Sequence, residues 1–312
     1  MKLASSDRIQ LSRLGAVIDP QRSYLKKSCI CSGSRGMNLV TVNEEYSFTS
    51  FSNLPFYTKV NERLLDLAEV GKQHKIVDLG CGTGGITKLI LERLQSAKDT
   101  VIYAVDHSTT ALKAAADEIG DRKDVAINYV HSEVQNLARA VKDKVDAVVY
   151  CNSIHYVPDK PVLIDQIKKK LVPNGIFAFN TSFYEGSHPD DSLEFFRKWM
   201  MRSLRILKRE YGLSADKSAK VESRVQLKAH DYVDLVENAG FKVLVNDFNR
   251  VEVPHEGWHH ISGFSDWIEG VMPGVPLDIG RETLQKGLGQ IWDEMNLETV
   301  PRVWLSVSAA KV

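Results

Sequence analysis

The middle of the chain alternates between short apolar runs and segments with the apolar spacing of helices. The runs predict five strands, over Lys75–Leu79, Val101–Val105, Ile127–Val130, Val145–Tyr150 and Ile176–Asn180. The spacing predicts helices over Tyr57–Val70, Ile86–Leu94, Thr109–Ile119 and Lys160–Leu171. Strands that are apolar almost throughout and alternate with helices are typical of a parallel sheet covered on both faces. We therefore predict a doubly wound, mostly parallel α/β domain.

After Asn180 the alternation gives way to longer helical segments. Helices are predicted over Ser192–Tyr211 and Asp231–Asn238, and strands over Phe241–Val253 and Val303–Val312. About fifty residues separate these two strands, far more than a hairpin needs, so they contain an insertion. The prediction is a seven-stranded core with a helical cap from two insertions. Its parts are the main core 37–182, a cap segment and core helix 183–240, a cap insertion 254–301, and closing strands 241–253 and 302–312.

The predicted helix Ser192–Tyr211 is amphipathic. Its apolar stripe comprises Leu193, Phe196, Met200, Leu204, Leu207 and Tyr211. The other face is basic, and residues 197–228 hold ten basic residues against three acids. A charge run of this kind is usually a solvated face. The alternative is a surface that meets an anion, either a phosphate or diphosphate group of a substrate or a lipid headgroup.

Composition narrows the class of protein. The 312 residues contain 40 Lys plus Arg and 40 Asp plus Glu, and this balance disfavours a nucleic-acid partner. No segment approaches the roughly 18 apolar residues of a membrane helix, so we expect no integral membrane segment. Four cysteines in a chain of this length indicate reduced thiols and a cytoplasmic location.

Residues 1–36 differ from the remainder of the chain. They contain seven basic residues, two acids and seven serines, and Met37 is a candidate internal start. This composition fits either a disordered extension or an organellar transit segment. In both cases we expect residues 1–36 to stay outside the fold, and the second case would place the protein in an organelle.

A glycine cluster follows the first predicted strand. Gly80, Gly82 and Gly85 satisfy G-x-G-x-x-G, a weak indication of a dinucleotide when it stands alone. Asp78 would repel the pyrophosphate of a dinucleotide but attract the sulfonium and ammonium groups of S-adenosylmethionine. At about 4 Å such an attraction is on the order of 1–4 kcal/mol. The carboxylate therefore favours S-adenosylmethionine over a nicotinamide cofactor.

Asp106 follows the second predicted strand, 26 residues after Gly80. A carboxylate there can accept hydrogen bonds from both ribose hydroxyls, which either cofactor would offer. The alternative is helix capping, because Asp106, Ser108 and Thr109 are all good N-cap residues.

Together these residues resemble the class I S-adenosylmethionine-dependent methyltransferases. Asp78–Gly84 resembles motif I of that family, and the similarity continues through Asp106, 129–134, 145–149 and 171–176. It implies a Rossmann-like methyltransferase of the small-molecule type with S-adenosylmethionine as cofactor. The residues that the resemblance assigns to the cofactor are Asp78, Gly80, Cys81, Gly82, Asp106, His107, Glu133, Val134 and Asn152.

One of these residues departs from the family pattern. Glu133 stands where the family usually has an aspartate that accepts a hydrogen bond from the adenine amino group. Its carboxylate lies one methylene further out, while Val134 would offer its backbone N–H to the ring.

His155 and Glu185 are the predicted catalytic residues. The resemblance implies His155, since the family often has histidine there; the alternative is a structural histidine. Glu185 and His188 follow the fifth strand and are candidates for a general base or for a metal ligand, or for an ordinary polar loop.

Aromatic and histidine residues cluster in the predicted insertion. His255, His259 and His260 are a conceivable metal site, but neighbouring histidines rarely converge on one ion, and we predict no metal. Trp258, Phe264 and Trp267 form either an apolar or cation-stabilising wall or the core of the insertion. The resemblance also implies that Tyr46–Phe51 folds over the cofactor.

The expected function is methyl transfer to a small, largely apolar metabolite, and an anionic group on that metabolite is a further possibility. The protein is expected to be a monomer or a homodimer. Two alternatives remain at this stage: an NAD-type oxidoreductase, and a non-catalytic regulatory protein that binds S-adenosylmethionine.

Overall fold

The structure is a computed structural model, and it describes residues 50–216, 218 and 226–312. Several predictions lie outside the described residues. They concern residues 1–36, residues 46–49 of the segment expected over the cofactor, and Lys217, Lys220 and Arg224 of the basic run.

A seven-stranded sheet forms the centre of the fold. Its strands are β1 Lys75–Leu79, β2 Val101–Asp106, β3 Ala126–His131, β4 Val145–Cys151, β5 Leu171–Thr181, β6 Phe241–Pro254 and β7 Thr299–Lys311. The order is β3-β2-β1-β4-β5-β7-β6, with β1 to β5 parallel and β7 antiparallel to both of its neighbours. The predicted doubly wound, mostly parallel sheet is confirmed. The strand order reverses between β1 and β4, and ligands bind such sheets at that point, outside the carboxyl ends.

Ten α-helices surround the sheet in the described part of the chain. They are α1 Pro55–Leu67, α2 Gly85–Arg93, α3 Thr109–Ile119, α4 Leu137–Ala140, α5 Lys160–Lys170, α6 Leu193–Tyr211, α7 Ala229–Asn238, α8 His255–Ile261, α9 Ser265–Val271 and α10 Leu277–Glu294. Local signals explain several starts: the Ser108 side chain accepts from Ala111 N at 3.1 Å, and Asp159 caps α5 in the same way. Of the helices described, none has the length and apolar character needed to cross a membrane.

Two strands begin earlier than predicted. β5 starts at Leu171, which pairs with Val145, and not at Ile176. Asn174 adopts a left-handed conformation (φ 63°), so the strand accommodates the Pro-Asn-Gly stretch as an irregularity. β7 starts at Thr299, three residues before the predicted start at residue 302, so the cap insertion ends three residues earlier than predicted.

The two insertions pack together into one cap. α6 supplies Phe195, Phe196 and Trp199 to an aromatic cluster that also contains Trp258 of α8 and Trp292 of α10. The cap rests on the sheet through Val253, Val300 and Trp304. By contrast, α7 packs on the sheet itself, with Tyr232 and Val236 buried in the main core.

The predicted apolar stripe of α6 is correct in part, because Phe196 and Leu207 are buried and Met200 and Tyr211 pack against the cap core. Leu193 and Leu204 are exposed (49% and 40%), whereas Phe195, Trp199, Ser203 and Ile206 are buried. The reason is tertiary: Gly287 of α10 lies directly against Ser203, so the two helices approach most closely there. That crossing, and the burial of the largest rings, determines which face turns inward.

Candidate functional site

The glycine turn between β1 and α2 adopts backbone conformations that favour glycine. Gly80 and Gly82 have φ of 69° and 53°, and Gly84 has φ of 90°. A Cβ on Gly80 would lie 3.2 Å from the Tyr150 ring, whereas a Cβ on Gly82 would meet no atom within 4 Å. The turn is therefore held tightly on one side and leaves open space over Gly82 for a ligand.

The third constrained glycine is Gly84, not the Gly85 of the G-x-G-x-x-G pattern. A Cβ on Gly84 would lie 3.0 Å from Ala115 Cβ of α3, while one on Gly85 would meet nothing within 4 Å. The pattern could not show this, because the contact depends on how α3 packs.

Asp78 lies beneath this turn and is 1% exposed. Its Oδ2 accepts a hydrogen bond from Thr87 Oγ1 at 2.6 Å, while its Oδ1 is buried with no partner among the described residues. Burial raises the pKa of Asp78 to about 7, Thr87 opposes this rise, and the neighbouring Asp106 carboxylate adds to it. A buried oxygen without a donor, on a group held near its pKa, suits a cationic ligand.

Asp106 ends β2 beside the turn. Its Oδ2 accepts from Gly82 N at 2.9 Å and its Oδ1 from Ser108 N at 2.9 Å. Each carboxylate oxygen keeps a further lone pair, so Asp106 both holds the local backbone and can accept from hydroxyls of a ligand. The helix cap itself is Ser108.

The other predicted cofactor residues lie around the same edge of the sheet. Cys81 is buried, and burial raises the pKa of its thiol. His107 is largely exposed, with its Nδ1 3.4 Å from Asp106 Oδ1. Glu133 is exposed and precedes the short 3₁₀ turn that begins at half-buried Val134. Their contacts with a cofactor stay predictions.

Asn152 belongs to a polar network that sequence reasoning missed. Its Nδ2 donates to Asn61 Oδ1 (2.9 Å), its backbone N to Asn180 Oδ1 (2.8 Å), and Trp304 Nε1 donates to its Oδ1 (2.8 Å). Asn152 has φ of 52°, a conformation that asparagine tolerates better than most residues. The network ties β4, β5, β7 and α1 together at the carboxyl edge. The only local signal was an asparagine directly after a buried strand.

His155 lies in the 3₁₀ turn after β4. Its Nδ1 is 3.0 Å from Thr181 Oγ1, its ring stacks on Phe183 (centroids 4.2 Å apart), and its Nε2 is buried with no partner among the described residues. Burial, assisted by Arg302 and Lys160, lowers the pKa of His155 to about 3. The imidazole is therefore neutral at ordinary pH.

Glu185 and His188 occupy different environments. Glu185 is exposed, and its backbone N–H donates to Leu227 O. His188 turns inward and stacks on Phe196 at 4.0 Å, with burial and Arg302 lowering its pKa to about 3. Of the two predicted catalytic residues, His155 thus turns toward the protein interior at the carboxyl ends of the strands, whereas Glu185 faces solvent.

The three histidines of the insertion lie on α8. His255 packs against Trp292 with ring centroids 5.1 Å apart, and His260 faces Glu256 at 3.8 Å. Across residues 50–216, 218 and 226–312, no group of three or more His, Cys, Asp and Glu side chains is arranged to hold a metal ion.

Arg302 of β7 is a second residue that the sequence did not reveal. Its guanidinium is fully buried and lies over Phe183, Trp258 and Trp267, with its Cζ 4.7, 5.5 and 5.6 Å from the ring centroids. Two of the three predicted wall residues, Trp258 and Trp267, thus surround a cation of the protein itself, and Trp258 is also part of the cap core.

Comparison with known proteins finds similarity to methyltransferases. Residues 77–177 match the family model described as a methyltransferase domain. Malonyl-[acyl-carrier protein] O-methyltransferase of Halalkalibacterium halodurans is 31% identical over 116 residues, which cover 35% of this chain and 41% of that protein. Trans-aconitate 2-methyltransferase of Delftia acidovorans is 23% identical over 264 residues, covering 80% and 92%.

These similarities are limited in the length that they cover and in sequence identity. The chain spans less than half the length of the first three curated relatives it matches (41%, 45% and 43%). Among solved structures, Haemonchus contortus phosphoethanolamine N-methyltransferase 2, in complex with phosphomonomethylethanolamine and S-adenosylhomocysteine, is 14% identical with a TM-score of 0.49, covering 86% of this chain and 56% of that one.

The sheet order and the glycine turn define an α/β protein of Rossmann-like fold. Within that class, residues 77–177 are similar to a methyltransferase domain, the domain expected from the resemblance to the class I S-adenosylmethionine-dependent methyltransferases.

Proposed function

We propose that this protein transfers a methyl group from S-adenosylmethionine to a small, largely apolar metabolite. The observation that carries the proposal is the unpartnered, buried Oδ1 of Asp78 beside a glycine turn with open space over Gly82. A carboxylate at that position suits a cationic cofactor and opposes a pyrophosphate.

The residues present fit the cofactor. Asp78 would hold its positively charged end, and Asp106 would accept from the ribose hydroxyls while still bonded to Gly82 and Ser108. When bound, S-adenosylmethionine supplies a methyl group activated for in-line displacement.

The remaining residues position groups and exclude water. The Asn152 network fixes the backbone at the end of β4, where cofactor and acceptor would meet. The aromatic cap keeps water from the reacting groups, and holding the acceptor in line supplies most of the rate enhancement.

His155 is the residue proposed to contact the methyl acceptor. Because its pKa is about 3, it acts in the free protein as a neutral hydrogen-bonding group rather than as a strong base. Glu185 remains the alternative, and its exposed position favours it less.

The nature of the cap supports a small acceptor. Its buried cluster is rich in aromatic side chains, and apolar and aromatic side chains with few polar groups are typical of the surroundings of small-molecule sites. The trans-aconitate 2-methyltransferase relatives, one of them from Mycobacterium tuberculosis at 26% identity over 82% of this chain, are named for a small-molecule substrate.

The predicted anion surface on α6 is less favoured as a substrate contact. Arg202 donates to Glu294 (2.5 Å) and Lys198 faces Glu194 (3.2 Å), so part of this positive charge is already balanced.

Thermal unfolding with and without cofactor tests the proposal. S-adenosylhomocysteine at about 100 times its Kd should stabilise the protein by about 2.7 kcal/mol, which corresponds to a rise in Tm of roughly 5–10 °C. NAD at the same concentration should give no shift. A shift with NAD and none with S-adenosylhomocysteine would establish the oxidoreductase instead.

Catalysis needs its own test. The protein is incubated with isotope-labelled S-adenosylmethionine and a small-molecule metabolite extract, and labelled products are identified by mass spectrometry. A labelled small molecule is expected. Cofactor binding without transfer to any metabolite would favour the regulatory alternative.

A further inference from the structure

Arg302 carries a buried positive charge that no carboxylate of the described residues balances. Its Nε and Nη2 donate to the backbone oxygen of Ser182 at 3.1 and 2.7 Å, while its Nη1 is buried without a hydrogen-bond partner in the described part of the chain. Within residues 50–216, 218 and 226–312, no acidic side chain lies within 4.0 Å of it. Buried charges are normally paired, because leaving one unpaired costs several kcal/mol.

The groups around Arg302 are neutral, and several have unused polar atoms. His155 Nε2, His188 Nε2 and Trp267 Nε1 are all buried and have no partner among the described residues. Both histidines are held neutral, with pKa values lowered to about 3 by burial and by Arg302 itself. No neighbouring group therefore supplies the missing negative charge.

His155 offers a donor toward this region. Thr181 Oγ1 accepts from Phe183 N at 3.0 Å, and its own hydroxyl proton can be donated to His155 Nδ1, also 3.0 Å away; we adopt the tautomer that this donation requires. In this tautomer the imidazole proton resides on Nε2. The unused atoms around Arg302 then include at least three N–H donors, on Arg302, His155 and Trp267, and such a set is suited to an anion.

The position of Arg302 connects it to the cofactor edge. Ser182, whose oxygen accepts from the guanidinium, directly follows β5, and His155 follows β4, the neighbour of β1. By the strand register Asp78 is level with Ser308 of β7, so Arg302 lies three strands across from Asp78 and six residues further toward the carboxyl edge of the parallel strands. Phe183 and Trp267 over the guanidinium are partly exposed while Trp258 is completely buried, so access is from the Phe183 side.

We propose that Arg302 Nη1 and Trp267 Nε1 bind a carboxylate group of the methyl-accepting substrate, whose apolar body packs on Phe183 and Trp267. The proposal rests on the proposed function and names its substrate class: an apolar or aromatic monocarboxylic acid. One guanidinium among neutral side chains balances one negative charge, which a carboxylate carries and a phosphate dianion exceeds.

Binding of model anions to the full-length protein saturated with S-adenosylhomocysteine tests this inference, read by tryptophan fluorescence and by calorimetry. The probes are 3-phenylpropionate, its neutral amide and phenyl phosphate, with trans-aconitate as a polyanion. The variants are Arg302→Met, which removes the charge, and Trp267→Phe, which removes the N–H donor and keeps an aromatic ring of smaller size. Arg205→Met on the exposed face of α6 is the matched control for a surface cation.

The wild type should bind 3-phenylpropionate more tightly than its amide or phenyl phosphate. R302M should weaken that binding by at least about 30-fold, W267F by about 3- to 10-fold, and R205M by less than about twofold. The Kd of S-adenosylhomocysteine should stay within about twofold in all three, because none lies at the glycine turn.

Several results would overturn the inference while leaving the proposed function intact. These are equal binding of amide and carboxylate, preference for phosphate, absence of any carboxylate binding, or loss in R205M but not in R302M. An equal loss of S-adenosylhomocysteine binding in R302M would assign the guanidinium to the cofactor instead. If R302M does not fold, W267F decides. Failure of the wild type to bind S-adenosylhomocysteine would refute the proposed function itself.

Discussion

Asp78 is a buried acid whose ionisation is coupled to its surroundings. Its pKa in the folded protein, about 7, is far above the 3.8 of an unperturbed aspartate, chiefly because of burial. The folded protein therefore holds the proton more tightly than the unfolded chain. Its contribution to stability is complete below about pH 4 and is lost as pH rises toward and through 7.

This titration should be visible in cofactor binding. Only the carboxylate form attracts the cationic groups, and about one tenth of Asp78 is ionised at pH 6 against nine tenths at pH 8. The Kd of S-adenosylmethionine, measured by calorimetry, should therefore fall about tenfold from pH 6 to pH 8.

Asp78→Asn provides the control for that measurement. The amide can still accept from Thr87 but carries no charge, so the variant should bind more weakly and lose most of the pH dependence. It should also unfold at the same or a higher temperature than the wild type at pH 8, because no charge is buried. An unchanged pH slope in D78N would show that another group is responsible.

Two adjacent glycines of the turn should respond differently to alanine. Gly84 is left-handed and contacts Ala115, so G84A should lower the free energy of unfolding by about 1–3 kcal/mol. Gly85 is the first residue of α2 and has open space, so G85A should be neutral or stabilising by up to about 1 kcal/mol. Urea denaturation measures both values, and equal effects would contradict the contact assigned to Gly84.

At the scale of elements, the crossing of α6 and α10 organises the cap. Ser203 is buried because Gly287 presents no side chain to it, and Trp199 Nε1 donates to Leu284 O at 2.8 Å nearby. Exposed ion pairs, such as Lys286 with Glu210, add little to this packing. The inward face of α6 therefore follows from close approach of the two helices, not from its own leucine spacing.

Alanine substitutions on α10 test that crossing. G287A should lower the free energy of unfolding by about 1–3 kcal/mol, because the new methyl group meets Ser203. G289A, on the same helix but with no atom within 4 Å of its Cβ, should raise it by up to about 1 kcal/mol through helix propensity. Thermal or urea unfolding distinguishes them, and a neutral G287A would contradict the tight crossing.

At the scale of the whole molecule, the sheet brings together residues from distant parts of the chain. Asp78, Asp106 and Asn152 lie at or next to the carboxyl ends of three parallel strands, so their convergence at one edge could be predicted from the alternation alone. Arg302 reaches the same side from the opposite direction, since β7 is antiparallel and extends beyond β5. No local pattern around Arg302 indicates that side chain, because it stands within an ordinary apolar strand.

The doubly wound sheet, the glycine turn and the two acids beside it could all be predicted from the order of residues along the chain. These features depend on short-range periodicity, on glycine conformation and on the rule that parallel strands end at one edge. Four features could be found only from the packing of the folded chain: the inward face of α6, the role of Gly84, the asparagine network around Asn152 and the aromatic enclosure of Arg302. Each of those depends on a contact between elements distant in sequence, and burial at such a contact follows from how the elements pack.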